Sequence, residues 1–584
     1  MDAGDAMGRG ERAPLLRQIS YRSFKRKPSR GPRVLDETPE VELLEDKKKM
    51  GSKAPAVVLG FECLESTAFN GISTNLVVYL ETVLHGSNLA SASNVTTWFG
   101  TSYLTPIFGA IIADTFWGNY NTILVSLAVY ILGMIVVTLT AFMPAPAEVC
   151  TPGSSCVTGN ATLPFIGLYL VAIGSGGVRS SLLPFGAEQF DDVSGVEDQE
   201  GKRSFFSLFY LCVDFGPIVS GVFIVWIQQN VSWGLGFGIS TLCIALAYGG
   251  FVYATPMYKR SMPTGTPLKS LCQVVVAAFR KVSLTLPFDA DHLYDVSGDS
   301  MDPHARIAHT TEFSFLDRAA IISDSELEDR LLDAHSSSWT LCTVTQVEEL
   351  KILLRLLPIW ATSIVISAAY SQMNSTFILQ GSAMDINILS VPIPAASLSS
   401  FEVLCVLAWV LLYSNFIVPA LNNFSSDGHW EPSQLQRMGA GRVLMALAMA
   451  VAALVEMKRL DSVATGEVIG IAWQLPQYFL LAGAEVFCYI AQLEFFYGEA
   501  PDSMKSMCTS LALLTIALGS YMSSLIYAVL AAITVKPGSP GWISDDLNQG
   551  HLDYFFWSMA VMCILNFAVY SAFARNYKLK TILP

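Results

Sequence analysis

"GFECLESTAFNGISTNLVVYL", Gly60 to Leu80, is mostly apolar and matches the roughly 20 residues a helix needs to cross a bilayer. Glu62 and Glu65 sit inside it, three residues apart, which places both carboxyl groups on one helix face. No Lys or Arg follows them within the stretch. Two acids on one face without a base cannot both carry charge cheaply in a low dielectric. One of the pair is therefore expected to hold a proton, which suits a proton relay and equally a purely structural pair.

Runs like this one recur along the chain. Of 584 residues, 52% are hydrophobic and 14% charged, where a soluble protein carries about 25% charged residues. Spans are expected near 56–80, 96–114, 121–143, 163–183, 206–229 and 233–254. A second set is expected near 350–372, 395–418, 440–457, 470–494, 507–531 and 554–575. Between the sets the apolar signal stops. The expected organisation is a disordered cytosolic tail (1–54), a six-helix half (55–256), a cytosolic central loop (257–345) and a second six-helix half (346–584). Lys259, Arg260, Lys269, Arg280 and Lys281 agree with a cytosolic loop. The net charge of -14 resides mainly in the loops and identifies no partner.

The fold class implied is an all-α polytopic membrane protein, with about twelve transmembrane helices in two six-helix halves. That is the layout of the major facilitator superfamily, which places substrate near the bilayer midplane between the halves. "GAIIADTFWGN", Gly109 to Asn119, has the spacing of the facilitator loop motif, but Asn119 stands where that motif closes on Arg or Lys. On the far side, Cys150 and Cys156 share the short loop "CTPGSSC" and are the candidate disulfide, close to the sequon at Asn160. Other cysteines, such as Cys405 and Cys488, lie in apolar runs and read as packing residues.

Ionisable groups inside spans cost roughly 2.5–3.5 kcal/mol each on insertion scales and are functional suspects by default. Besides Glu62 and Glu65 they are Arg179 in "GSGGVRSSLLPFG", Asp214 in "FYLCVDFGPIVSG" and Glu485 in "LLAGAEVFCYIAQLEFF". Arg179 is a candidate cross-half partner for Glu485, paired or parted as the halves rock. Glu402 and Glu494 lie toward span ends and read as carboxylates reaching for the interface.

Several further segments carry a specific resemblance: "NVTTWFGTSYLTPIFGAIIAD", "FGAEQFDD", "VWIQQNVSWGLGFGI", "LCTVTQVEELKILLRLLPIWA", "QLEFFYGEAPDSMKSMCTSLALLT" and "GWISDDLNQGHLDYFFW". From about residue 55 to 578 the chain resembles the proton-dependent oligopeptide transporters, and within them the plant nitrate transporter/peptide transporter (NPF) family. It is most similar to the subgroup that carries di- and tripeptides. The resemblance implies a first-span motif E-x-x-E-R-hydrophobic-x-Y-Y, whose acids couple to protons and whose Arg meets the peptide carboxylate or pairs with the acids. Here both acids stand, while the Arg is Ser66 and the two Tyr are Phe69 and Asn70. Arg179 matches a family Lys, and Asp214 matches a usual Asn. Tyr103 and Glu485 match a pocket tyrosine and the acceptor of the substrate ammonium. Tyr370 stands where a nitrate-binding relative has His, which argues against nitrate by that mechanism. Thr101 matches a phosphorylated position but reads as a packing residue.

The function implied is proton-coupled symport of di- and tripeptides by alternating access, with coupling weakened or altered by Ser66. Protons are assigned to Glu62, Glu65 and Asp214, and substrate to Tyr103, Arg179, Tyr370 and Glu485. The alternatives are a carrier of nitrate or another anion without standard coupling, or a non-transporting membrane sensor or scaffold. No enzymatic constellation, cofactor, metal or nucleic-acid partner is indicated. The expected partners are a small-molecule substrate, protons, the lipid bilayer and cytosolic sorting adaptors. These adaptors read acidic dileucine signals, and "ERAPLL" supplies Glu11, Leu15 and Leu16. Related transporters with a similar signal reside on the vacuolar membrane, so that membrane is favoured over the plasma membrane.

Overall fold

The computed structural model describes residues 53–143, 162–190, 195–260, 267–282, 284, 293–294, 309–322, 339–388, 391–424, 432–499, 505–536 and 539–577. Glu11, Leu15 and Leu16 of the tail, and Cys150 and Cys156, lie outside the described residues. The first set of long helices is α1 (Ala54–Ser73), α2 (Asn88–Ile112), α3 (Gly118–Phe142), α4 (Thr162–Ala187), α5 (Gly195–Val219) and α6 (Trp233–Tyr253). The second set is α7 (Val344–Tyr370), α8 (Leu398–Leu412), α9 (Gln434–Ala464), α10 (Leu475–Glu485), α11 (Lys505–Thr534) and α12 (Leu552–Asn576).

Among the described residues, ten stretches are long and apolar enough to cross a membrane. The longest, Asn88–Phe142, contains both α2 and α3. They are separated by a π-helical turn, Ala113–Trp117, and by Gly118, whose φ of 72° only glycine adopts without cost. The acid-bearing α1 is outside those ten. Dividing the longest stretch and adding α1 restores the expected twelve. The faces of α3 make the solvent plain: Leu127, Tyr130, Met134 and Val137 are buried, while Val125, Leu132 and Leu139, seven residues apart, are exposed. An apolar stripe left uncovered along a whole helix fits lipid rather than water.

Helix starts are written locally. Thr343 with Gln346, and Ser433 with Gln436, form capping boxes at the heads of α7 and α9. Within the first half α1 packs on α5 and α6, α2 on α4, and α3 on α4 and α6. In the second half α7 packs on α11 and α12, α9 on α10 and α12, and α8 on α10. The halves meet through α2 on α11 and α5 on α8. At the loop motif, Asn119 Nδ2 donates to Glu188 Oε1 at 2.6 Å, so a neutral donor ties α3 to α4 where a cation was missing. The amphipathic helix Pro267–Arg280 packs on the 3₁₀ segment Ser314–Ala320 and on α7, which docks this part of the central segment on the second half.

Candidate functional site

Glu62 and Glu65 are both buried in α1. The cation beside them comes from α4. Arg179 Nε lies 3.8 Å from Glu65 Oε1, and its guanidinium carbon sits 3.7 Å above the centre of the Phe69 ring and 5.7 Å from that of Tyr103. A cation over an aromatic face is held by the ring quadrupole, so Phe69 serves as a platform that its sequence position did not announce. The Tyr130 hydroxyl approaches Glu65 from α3 without forming a well-aligned hydrogen bond.

The glycine run before Arg179 explains how α4 reaches α1. A Cβ at Gly174 would collide with the Tyr130 backbone, one at Gly176 with Thr105, and one at Gly177 with Ser126. Bare backbone at these positions lets α4 sink between α2 and α3.

Ser66, at the position of the missing base, points elsewhere. Its Oγ donates to the Val213 carbonyl of α5 at 2.7 Å, and Gly216 of α5 approaches it with no space for a Cβ. Asn70 Nδ2 donates back to the Ser66 carbonyl at 2.8 Å. The volume an arginine at 66 would need is filled by α5.

The second constellation lies in the other half. Glu485 ends α10, and Tyr370 OH donates to its Oε2 at 2.9 Å. A π-helical turn, Val486–Ile490, follows at once and presents Tyr489, which packs edge-on to Tyr370 and donates to Ser367 Oγ at 3.0 Å. Such turns concentrate at functional sites. Asp214 of α5 is partly exposed and within electrostatic reach of Glu485 across the halves. Tyr103, beside Arg179, and Tyr489, beside Tyr370, are within electrostatic range of each other.

Arg179 and Glu485 are parted here: Arg179 pairs with Glu65 in its own half, while Glu485 is held by Tyr370. Two expectations require correction. Glu402 does not reach for an interface: it is 2% exposed, within hydrogen-bonding reach of Glu485, and its Oε1 has no partner. Glu494 is buried against Arg437 of α9 as an ion pair within the second half. In sequence Glu402 follows "SLSS" near the head of α8, and Ser400 of that run donates to the Pro217 carbonyl of α5 at 2.9 Å. Small residues before an acid were the signal that this helix end is packed rather than wet. Thr101 donates to its own helix at Thr97 and also shares a hydrogen bond with Tyr521 of α11.

His309, Asp317 and Glu348 have the spacing of a metal trio. The Lys351 ammonium already stands among them, 2.7 Å from Asp317 and 2.8 Å from Glu348. The trio is therefore supplied with a cation by the chain itself. The arrangement offers one cation, Arg179, beside the acids of the first half, and the Glu485 carboxyl in the second half. That charge pattern suits a short ligand with an anionic and a cationic end.

Comparison with known proteins places the chain in a family. A family model described as "PTR2: POT family" matches residues 120–543. Protein NRT1/ PTR FAMILY 8.3 of Arabidopsis thaliana is 46% identical over 550 residues, covering 91% of this chain and 93% of that protein. Protein NRT1/ PTR FAMILY 8.1 of the same plant is 43% identical over 552 residues, covering 92% and 95%. Among solved structures, an auto inhibited POT family peptide transporter superposes with a TM-score of 0.67 at 20% identity, covering 91% of this chain and 99% of that one. The POT family transporter PepTSo superposes with a TM-score of 0.66 at 20% identity, covering 90% and 98%.

Proposed function

The chain belongs to the POT family, and on that premise we propose that it is a proton-coupled symporter of di- and tripeptides working by alternating access. It is a multi-pass membrane transporter rather than an enzyme. The observation that carries the peptide reading is the Arg179–Glu65 pair opposite Glu485. A charge-assisted Arg–carboxylate hydrogen bond runs at about 2.7–2.9 Å, and this pair stands at 3.8 Å. The guanidinium is thus held mainly by charge and by the Phe69 face, and is free to accept a second carboxylate.

A peptide whose carboxylate approaches Arg179 competes with Glu65 for that cation. Glu65, buried and losing its counter-charge, then takes a proton. Glu62 on the same face is the neighbouring proton acceptor. The peptide ammonium goes to Glu485, whose Tyr370 bond fixes the carboxylate. Tyr103 and Tyr489 border the space between. Coupling in this scheme runs through Arg179 and needs no base at position 66.

The anion-carrier reading has less support. Arg179 is the single Lys or Arg in an ion pair with the α1 acids among the described residues, and Tyr370 is engaged with Glu485. The vacuolar membrane remains the proposed location, on the dileucine signal at Glu11, Leu15 and Leu16, with sorting adaptors as the partners that read it.

The test is uptake of a radiolabelled dipeptide into oocytes at acid and neutral external pH, with Leu15→Ala/Leu16→Ala to hold the protein at the surface. Uptake that rises in acid is expected. Absence of uptake with the protein confirmed at the surface removes the peptide reading.

A further inference from the structure

Asp214 of α5, Glu402 of α8 and Glu485 of α10 lie within electrostatic range of one another. Each comes from a different helix, and two of those helices, α5 and α8, pack across the boundary between the halves. Among the described residues no Lys or Arg forms an ion pair with any of them. The other ionisable groups that face Glu402 are Tyr370 of α7, Tyr478 of α10 and Cys405 of its own helix, none of which supplies positive charge.

Receipt of one ammonium needs one carboxylate, and Glu485 fills that role. Glu402 is the unexplained group. Its carboxyl is buried, Oε1 has no hydrogen-bond donor, and it lies beside Glu485. A buried acceptor without a donor costs free energy unless something else fills it.

We propose that Asp214, Glu402 and Glu485 form a subsite for more than one primary ammonium group, which selects cationic substrates over neutral ones. The proposal rests on the peptide reading above in naming dipeptides with a lysine side chain as the preferred class. Its chemistry is that of the ammonium group, so a free diamine shares it. The charge of a second ammonium is met by Glu402, and Asp214 adds to the field from the opposite half.

The experiment uses purified full-length protein in nanodiscs at low ionic strength, with affinities measured by calorimetry. The probes are lysyl-alanine, alanyl-alanine and putrescine. A charge-assisted bond corresponds to roughly tenfold in affinity, and lysyl-alanine is expected to bind tighter than alanyl-alanine by about that factor. Glu402→Gln, which keeps the shape of the side chain, is expected to bring the ratio toward one. Asp214→Asn, at a partly exposed position, is expected to reduce it in the same direction. Binding of putrescine that depends on Glu402, without binding of either dipeptide, supports the subsite while removing the peptide reading. A ratio near one in the unsubstituted protein, a ratio untouched by both substitutions, or no binding of any probe overturns the proposal.

Discussion

Arg179 stands 3.8 Å from Glu65, and Ser66 is turned to α5. These two side chains give opposite answers to one question, which is where the cation of the first-span motif has gone. Restoring a base at 66 is therefore expected to harm the protein. Ser66→Arg forces a long charged side chain against Val213 and Gly216. Overpacking of this kind costs about 1–3 kcal/mol before the burial of charge is counted. The expected outcome is a lower thermal midpoint for the purified variant and no gain in uptake; a stable variant with faster uptake would show that α5 yields. Arg179→Lys keeps the charge but loses the planar stacking on Phe69, so uptake should fall modestly, whereas Arg179→Gln should leave only a small residual uptake. At this scale the sequence singled out the ionisable groups within the spans but not their partners. Glu62, Glu65 and Arg179 stood out because a span has little tolerance for charge. Their partnership depends on how deeply α4 sinks, which no residue count along one helix reveals. Glu402 was misread for a related reason: nearness to a span end says nothing of what packs over it.

The element that decides the pairing is α4, and its glycine run is the cause. Gly176→Val places side-chain carbon where Thr105 stands. We expect α4 to be pushed from α2, Arg179 to move off Phe69, and uptake to fall by at least an order of magnitude, with about 1–3 kcal/mol of stability lost. Comparison of uptake with the thermal midpoint of the same preparation checks both. The number and order of spanning helices were legible from hydropathy, because the bilayer sets a length. The π-helical turns Ala113–Trp117 and Val486–Ile490 were not legible. They depend on one extra residue per turn within an unbroken apolar run, and hydropathy does not register it. The turn after Glu485 is what brings Tyr489 beside Tyr370.

For the whole molecule, the hydrogen bonds between described residues that join the halves share one end of the bundle and reach to its middle. Asn88 bonds Ser544 and Asp545, Ser93 and Thr97 bond Ser524, Thr101 bonds Tyr521, and Ser400 bonds Pro217. This end is remote from the central segment. At this end the two halves are closed against each other. The Ser93 and Ser524 hydroxyls are 2.7 Å apart, so the pair Ser93→Cys/Ser524→Cys should oxidise readily to a disulfide that locks this end. Uptake should stop on oxidation and return on reduction, as alternating access requires. Continued uptake by the fully cross-linked protein would show that the seam does not open during transport.

The central claim is that Arg179 receives the substrate carboxylate. Its most direct measurement compares uptake of dialanine with uptake of its C-terminal amide, in proteoliposomes carrying a proton gradient, for the unsubstituted protein and Arg179→Gln. The account predicts strong preference for the free acid in the unsubstituted protein and no preference in Arg179→Gln. An undiminished preference in Arg179→Gln would contradict it, and would place the carboxylate at another group.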